Sequence, residues 1–413
     1  GDGAAASTLG AMYAAGAGVP RDEAQAFRYT LQAAQAGDEV ALGNAGTMYE
    51  FGMGTPANEK EAVRWYQAAA ARGNARGQSG YGRALLTGKA GLKADPGAAM
   101  DYLRPAAEAG DAAAQMFAAQ TLIAGSGGVA RDPAQAVRWY ESAARSFPAL
   151  NGDLAVIHTA GSRYGVASDP AKVVQYARRG AEAGDGKSMY LLADAYLNGR
   201  AVARDEAGGR LWLSRGAEAG DPPSMEAYSL TLLRGVGGPV DAAASWRWLY
   251  RAADAGSVVS QYEAGIARLL GQDGAPPDKP RGAAYLKKAA ESGHAPAQAS
   301  LSFVLENGEG VAADPVAARE WARRSAAQGD KDGLLNYGDL LLRGVGGPKE
   351  PERGVALIEQ AVAAGNVNAA LGLGHAYRDG DGLPRDLSRA RQWLKKAVEM
   401  GSEEAAVDLD RLR

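Results

Sequence analysis

Apolar positions along this 413-residue chain fall at helical spacing almost from end to end, and one register anchors them. A large side chain stands at Tyr29, Trp65, Tyr102, Trp139, Tyr176, Trp212, Trp248, Tyr285, Trp321, Leu357 and Trp393, with gaps of 36 or 37 residues. Of the tryptophans, Trp246 alone falls outside it. Three residues before each and four after it stand mostly Ala, Gly or Ser, as in Ala62 and Ala69 around Trp65. That stripe predicts a helix with one large side chain flanked by small ones, which suits close packing against its neighbours. Seven residues before the register lies Asp (Asp22, Asp95, Asp132, Asp169, Asp205, Asp241, Asp278, Asp314, Asp386), Asn58 or Glu350. Such side chains accept from the free N–H groups of a first helical turn. Eight residues after it lies a glycine, from Gly37 to Gly401, with Phe147 as the exception, and glycine suits the left-handed residue that stops a helix. This segment is helix B of a repeat.

After each stop comes a polar starter, such as Asp38, Asn74 or Asp330, and a second apolar-periodic segment, helix A. Its clearest copies run Leu9-Gly10-Ala11-Met12-Tyr13-Ala14-Ala15-Gly16 and Leu373-Gly374-His375-Ala376-Tyr377-Arg378-Asp379-Gly380. The predicted fold class is therefore all-α, an α/α solenoid wound as a right-handed superhelix of eleven helix-turn-helix repeats. The repeats run at 4–37, 38–73, 74–110, 111–147, 148–184, 185–220, 221–256, 257–293, 294–329, 330–365 and 366–401, and the segment 402–413 is a charged capping helix. Length alone suggests about three globular domains; the repeat replaces them with one elongated domain.

Leu-Gly-x-Met-Tyr-x-x-Gly-x-Gly-Val-x-x-Asp followed by Ala-x-x-Trp-Tyr-x-x-Ala-Ala-x-x-Gly resembles the Sel-one-like repeat family, a relative of the tetratricopeptide repeat. Leu9 to Gly37 and Leu373 to Gly401 match best, and the resemblance covers essentially the whole chain. It implies a bacterial scaffold or adaptor for other proteins in secretion, envelope or signalling assemblies, with no catalytic residues.

Composition narrows the chemistry. There is no cysteine, so disulfides, thiol nucleophiles and cysteine-ligated zinc are excluded. A net charge of −3 carries no basic footprint for nucleic acid. No uncharged apolar run reaches the ~20 residues of a membrane span. His158, His294 and His375 lie in different repeats without Glu-x-x-His or His-x-x-x-His pairing, so neither a metal nor a cofactor is expected. The segment Leu-Leu-Arg-Gly-Val-Gly-Gly-Pro at 232–239 and 341–348 leaves a helix, the wrong context for a phosphate loop, and reads as an inter-helix turn. Basic doublets at Arg178-Arg179, Lys287-Lys288, Arg323-Arg324 and Lys395-Lys396 read as the solvated outer face of helix B, which an acidic partner could use.

A partner is expected on the concave surface lined by the A helices. The exposed stripe falls eight, five and one residues before the helix A glycine. It comprises Asn44, Thr47 and Phe51; Phe117 and Gln120; Asp194 and Asn198; Arg234; Phe303 and Asn307; Asn336, Asp339 and Arg343; and His375 and Asp379. Mixed amides, charges and phenylalanines suit an extended peptide. The leading expectation is thus a non-enzymatic scaffold for a partner protein or peptide. A polysaccharide or peptidoglycan fragment is the second reading and would require exposed Tyr and Trp; an enzyme is the third and lacks a nucleophile–base pair. The start at Gly-Asp-Gly reads as a processed or trimmed chain, and composition with family resemblance points to a periplasmic or envelope setting, with the cytoplasm as the other reading. Two departures stand out: Phe147-Pro148 at the end of repeat 4 and Pro105 inside helix B of repeat 3. They predict altered curvature across repeats 3 to 5. Truncation of a register ring, Trp321→Ala, is expected to cost about 3–5 kcal/mol.

Overall fold

The computed structural model describes residues 3–272, 274 and 276–412. Among these residues the chain forms 24 α-helices and one 3₁₀ turn, without a strand. It divides into two compact units, one ending at Ala219 and one beginning at Gly220. The first holds α1 (Gly3–Ala15), α2 (Glu23–Gln35), α3 (Glu39–Phe51), α4 (Glu59–Ala70), α5 (Ala75–Thr87), α6 (Pro96–Glu108), α7 (Ala112–Ala124), α8 (Pro133–Ala143), α9 (Leu150–Thr159), α10 (Gly161–Tyr164), α11 (Pro170–Glu182), α12 (Gly186–Asn198) and α13 (Glu206–Glu218). The second holds α14 (Pro222–Arg234), α15 (Ala242–Asp254), α16 (Val258–Leu270), α17 (Lys279–Glu291), α18 (Ala295–Asn307), α19 (Pro315–Ala327), α20 (Lys331–Arg343), α21 (Pro351–Ala363), α22 (Val367–Asp379), α23 (Leu387–Glu399) and α24 (Glu403–Arg411). Helices A and B alternate, with α9 and α10 together in the helix A position of repeat 5, so the chain is an α/α solenoid. The terminal helix is α24, and Arg413 at the end of the expected cap lies outside the described residues.

Local chemistry sets the boundaries. Asp22 accepts from the N–H groups of Ala24 and Gln25 at 2.9 and 3.0 Å, and Asp314 accepts from Ala317 at 2.9 Å. Glu350 departs from this pattern: it makes no cap bond, and its carboxylate instead receives Arg319 at 2.9 Å and Arg353 at 3.1 Å. The longer side chain is drawn away by the two guanidiniums. The repeated glycine-rich turn is an inter-helix loop, as its context implies. In it Gly346 has φ +69°, and a Cβ there would lie 2.0 Å from the Pro315 carbonyl oxygen. That glycine lets the loop rest on the first turn of the preceding helix B. Pro105 lies one turn before the end of α6, which continues unbroken through it.

The core is built one residue away from the aromatic register. Leu103, Leu213, Leu286 and Leu394, each directly after a register position, are essentially unexposed, whereas Trp65, Trp212, Trp248, Trp321 and Trp393 are half-buried. Glycines of helix A face those leucines: a Cβ on Gly82, Gly265 or Gly374 would meet Leu103, Leu286 or Leu394 at 2.7–2.8 Å. Trp139, Tyr176 and Tyr285 are the register rings that are fully buried. Because Trp321 is half-buried, its truncation falls below the range for a fully buried ring.

Candidate functional site

Asp or Asn caps place most A helices, as Asp38 does for α3 through the Ala41 N–H at 2.7 Å. Within the units several A helices of neighbouring repeats touch, α3 with α5, α5 with α7, α9 with α12 and α18 with α20. Among the described residues no two B helices come together to the same extent. The A row is therefore the tighter side of the stack. Side chains tie it across repeats. Arg76 donates to Asn44, Arg83 pairs with Glu50, and Lys187 reaches Asp153 at 2.9 Å. Asn336 donates to the Ala299 carbonyl at 3.0 Å, and Arg343 pairs with both Glu306 and Asp339. Burial works against the Arg343 charge, yet hydrogen bonds to these two carboxylates more than offset it and raise its pKa above the ordinary range.

The expected stripe accordingly divides. Asn44, Asn336 and Arg343 are half-buried and serve inter-repeat ties, and half-buried Asp339 holds Arg343 from within its own helix. Thr47 donates to the Gly43 carbonyl and accepts from the Tyr66 hydroxyl at 3.2 Å, and Phe117 lies under the Arg83 guanidinium. Asp194 holds Asn198 at 2.7 Å and Arg200 at 2.8 Å, while Asn307 donates to its own helix at the Phe303 carbonyl. Asp379 makes a two-bond pair with Arg378, both at 2.8 Å. Phe51, Gln120, Arg234 and Phe303 project outward. Two further exposed residues went unnoticed in the sequence, Leu230 and Leu270. They occupy the same offsets, five before Gly235 and one before Gly271, so the periodicity already contained them.

Exposed large apolar side chains concentrate on this row. Among the described helical residues, the B helices expose Leu211 and Val316, whereas the A helices expose Phe51, Leu230, Leu233, Leu270 and Phe303 among others. Phe51 is 66 %, Leu270 62 % and Phe303 52 % exposed. Every tryptophan and tyrosine is buried or half-buried.

His375 finds a partner that no local motif announces. Its Nε2 lies 2.7 Å from Asp408 Oδ2, and Arg378 and Arg411 donate to the same carboxylate at 3.0 and 3.2 Å. These hydrogen bonds, the His375 bond first and then the Arg378 charge, hold the Asp408 carboxyl below its usual range despite burial. Glu404 completes a group of three potential metal ligands with atoms within 4.8 Å of one another. Two guanidiniums already on Asp408 oppose a cation there, so the cluster acts as a clasp between α22 and α24. His294 caps α18 through Nδ1, and His158 is buried with its ring stacked 5.7 Å from Tyr176. The basic doublets are exposed, but the second members of two of them also cover register rings: Lys288 lies 5.8 Å from Tyr285 and Arg324 4.7 Å from Trp321. Arg215 and Arg251 do the same for Trp212 and Trp248.

The Sel1 repeat family model matches eleven successive segments, from 4–38, 40–74 and 75–111 through 295–330, 331–366 and 367–402. Among solved structures, the chain is similar to c5321, a protective antigen of uropathogenic Escherichia coli with an SLR fold. Their identity is 27 %, the alignment covers 100 % of this chain and 91 % of that one, and the TM-score is 0.67. It is also similar to a Sel1 repeat protein from Oxalobacter formigenes, at 26 % identity over 77 % of this chain and 92 % of that one, with a TM-score of 0.47. No curated protein matches the chain.

Proposed function

Since the chain belongs to the Sel1 repeat family, we propose that it is a non-catalytic scaffold that holds a partner protein against its row of A helices. The observation that carries this reading is the exposure of Leu230, Leu270 and Phe303 on the A helices of three successive repeats, beside the exposed cation Arg234. Apolar anchors with an arginine are the residue types that dominate binding energy at interfaces. Strongly perturbed groups support a non-catalytic role, because each is engaged in an ion pair or a hydrogen bond within the scaffold. Glu320, lowered to about 2, lies between Arg323 and Arg324, and Tyr66 and Tyr176 are raised by burial and bonded to Glu50 and Glu141. The absence of exposed Tyr or Trp favours a peptide over a sugar, which binds by stacking on open rings.

The test is affinity capture from the source organism with the full chain. Leu230→Ala/Leu270→Ala/Phe303→Ala should lose a specific partner with unchanged helicity, while Leu211→Ala on a B helix should keep it. Equal capture by both variants refutes the A-row assignment. An envelope setting is part of the proposal and extends the expectation that the family resemblance carries. Recovery of the native protein in the cytoplasmic fraction refutes it.

A further inference from the structure

Repeat 4 lacks the stop glycine, and the consequence is a longer junction. Between α6 and α7 the chain turns from Glu108 to Ala112; between α8 and α9 it runs from Ala143 to Leu150. The start of α9 has no side-chain cap, and Asn151 instead donates through Nδ2 to the Pro148 carbonyl at 2.8 Å, which holds the wider turn. The displaced chain leaves a cleft of about 540 Å³ between the end of α8, the start of α9 and the outer side of α11. That volume is in the range of ligand-binding clefts, about 300–1,000 Å³.

The charge lining this cleft is lopsided. Lys172 and Arg179 rise from α11, and Arg145 comes from the junction. All three are exposed, and none pairs with a carboxylate among the described residues. Glu141 is the one acidic group in the wall, and the Tyr176 hydroxyl donates to it. Lys172 and Arg179 are two helical turns apart, roughly 10 Å along the axis at 1.5 Å per residue. Three cations spread around the cleft wall suit several carboxylates carried on one chain. An extended acidic chain presents carboxylates on one face at every second residue, about 6.6 Å apart at 3.3 Å per residue, and the long Lys172 and Arg179 side chains, leaning toward each other, can meet two of them.

We propose that this cleft binds an acidic segment of a partner protein, with carboxylates spaced to meet Lys172 and Arg179 while Arg145 closes the opposite side. The proposal rests on the scaffold reading for the kind of ligand, and it adds a contact on the helix B side, separate from the A row. The probe is a fluorescein-labelled hexaglutamate peptide, titrated against the full chain by anisotropy at low and physiological salt. Lys172→Glu/Arg179→Glu should weaken binding at least about tenfold. Lys60→Glu/Lys93→Glu makes the same change in net charge on other exposed sites of that unit and should leave affinity within about twofold of the parent. Circular dichroism verifies that both variants fold. No binding by the parent chain, equal weakening in both variants, or displacement of the peptide by equimolar inorganic phosphate would each overturn the proposal. Because the titration uses a defined peptide, it remains readable if the A-row capture experiment fails.

Discussion

Gly82 and Leu103 provide a direct measure of how the small residues of helix A serve the core. Leu103 on α6 is fully buried, and a methyl group on Gly82 of α5 would lie 2.7 Å from its Cγ and 3.1 Å from the Ala99 carbonyl oxygen. Leu103→Ala should cost about 3–4 kcal/mol, within the usual range for a buried leucine whose surroundings cannot collapse. Gly82→Ala overpacks the same space at about 1–3 kcal/mol, offset by up to about 1 kcal/mol of helix propensity. In the double variant the new methyl enters the space that Leu103 vacates, so the combined cost should fall below the sum by about 1–2 kcal/mol. Rescue stays incomplete because the Ala99 carbonyl is still close. Urea unfolding of the full chain, followed at 222 nm, measures the four species. Amide exchange in α5 and α6 supplies the local free energy, since a repeat protein need not unfold in one step. Additivity within about 0.5 kcal/mol would refute the claim that Gly82 is small because of Leu103.

Acidification should loosen the clasp of α24. A carboxylate with a depressed folded pKa stabilises above its unfolded value, near 4, and loses that contribution as pH falls through the folded value. The stability advantage of the parent over Asp408→Asn should therefore be present above pH ~4 and vanish below it in a series of thermal melts; an advantage independent of pH contradicts the assignment. Gly346→Ala should destabilise by at least about 2 kcal/mol, from positive φ and the approach to Pro315. Gly372→Ala, in open space on α22, should instead stabilise by up to about 1 kcal/mol. Thermal unfolding of the two variants checks both signs, and equal shifts would contradict the contrast.

Much of the fold was legible because its signals are local. Asp22 reaches the N–H groups two and three residues ahead, so the sequence offset specifies the bond. The stops follow likewise from glycine, as at Gly37 with φ +89°. Phase was harder to read. Trp65 and Tyr66 are adjacent rings about 100° apart on one helix, and composition cannot say which enters the core. Tyr66 does, beneath Gly46 and Gly80. A better signal was available, since leucine follows the register at Leu103, Leu213, Leu286 and Leu394. The candidate site was less legible for a related reason. Offsets identified its face, but not which polar residues on that face would be consumed in joining one repeat to the next.

The sequence by itself determined the helices, their caps and stops, the eleven-fold repetition and the absence of cysteine chemistry. Each depends on residues a few positions apart, whose geometry is set by the backbone. The tertiary structure decided the pairing of Arg343 with Glu306 and of His375 with Asp408, and the cleft behind Phe147-Pro148. These groups are 37 and 33 residues apart, or on three different helices. Their meeting depends on how one repeat stacks on the next, an angle set by the packing of many small side chains together and by no single motif.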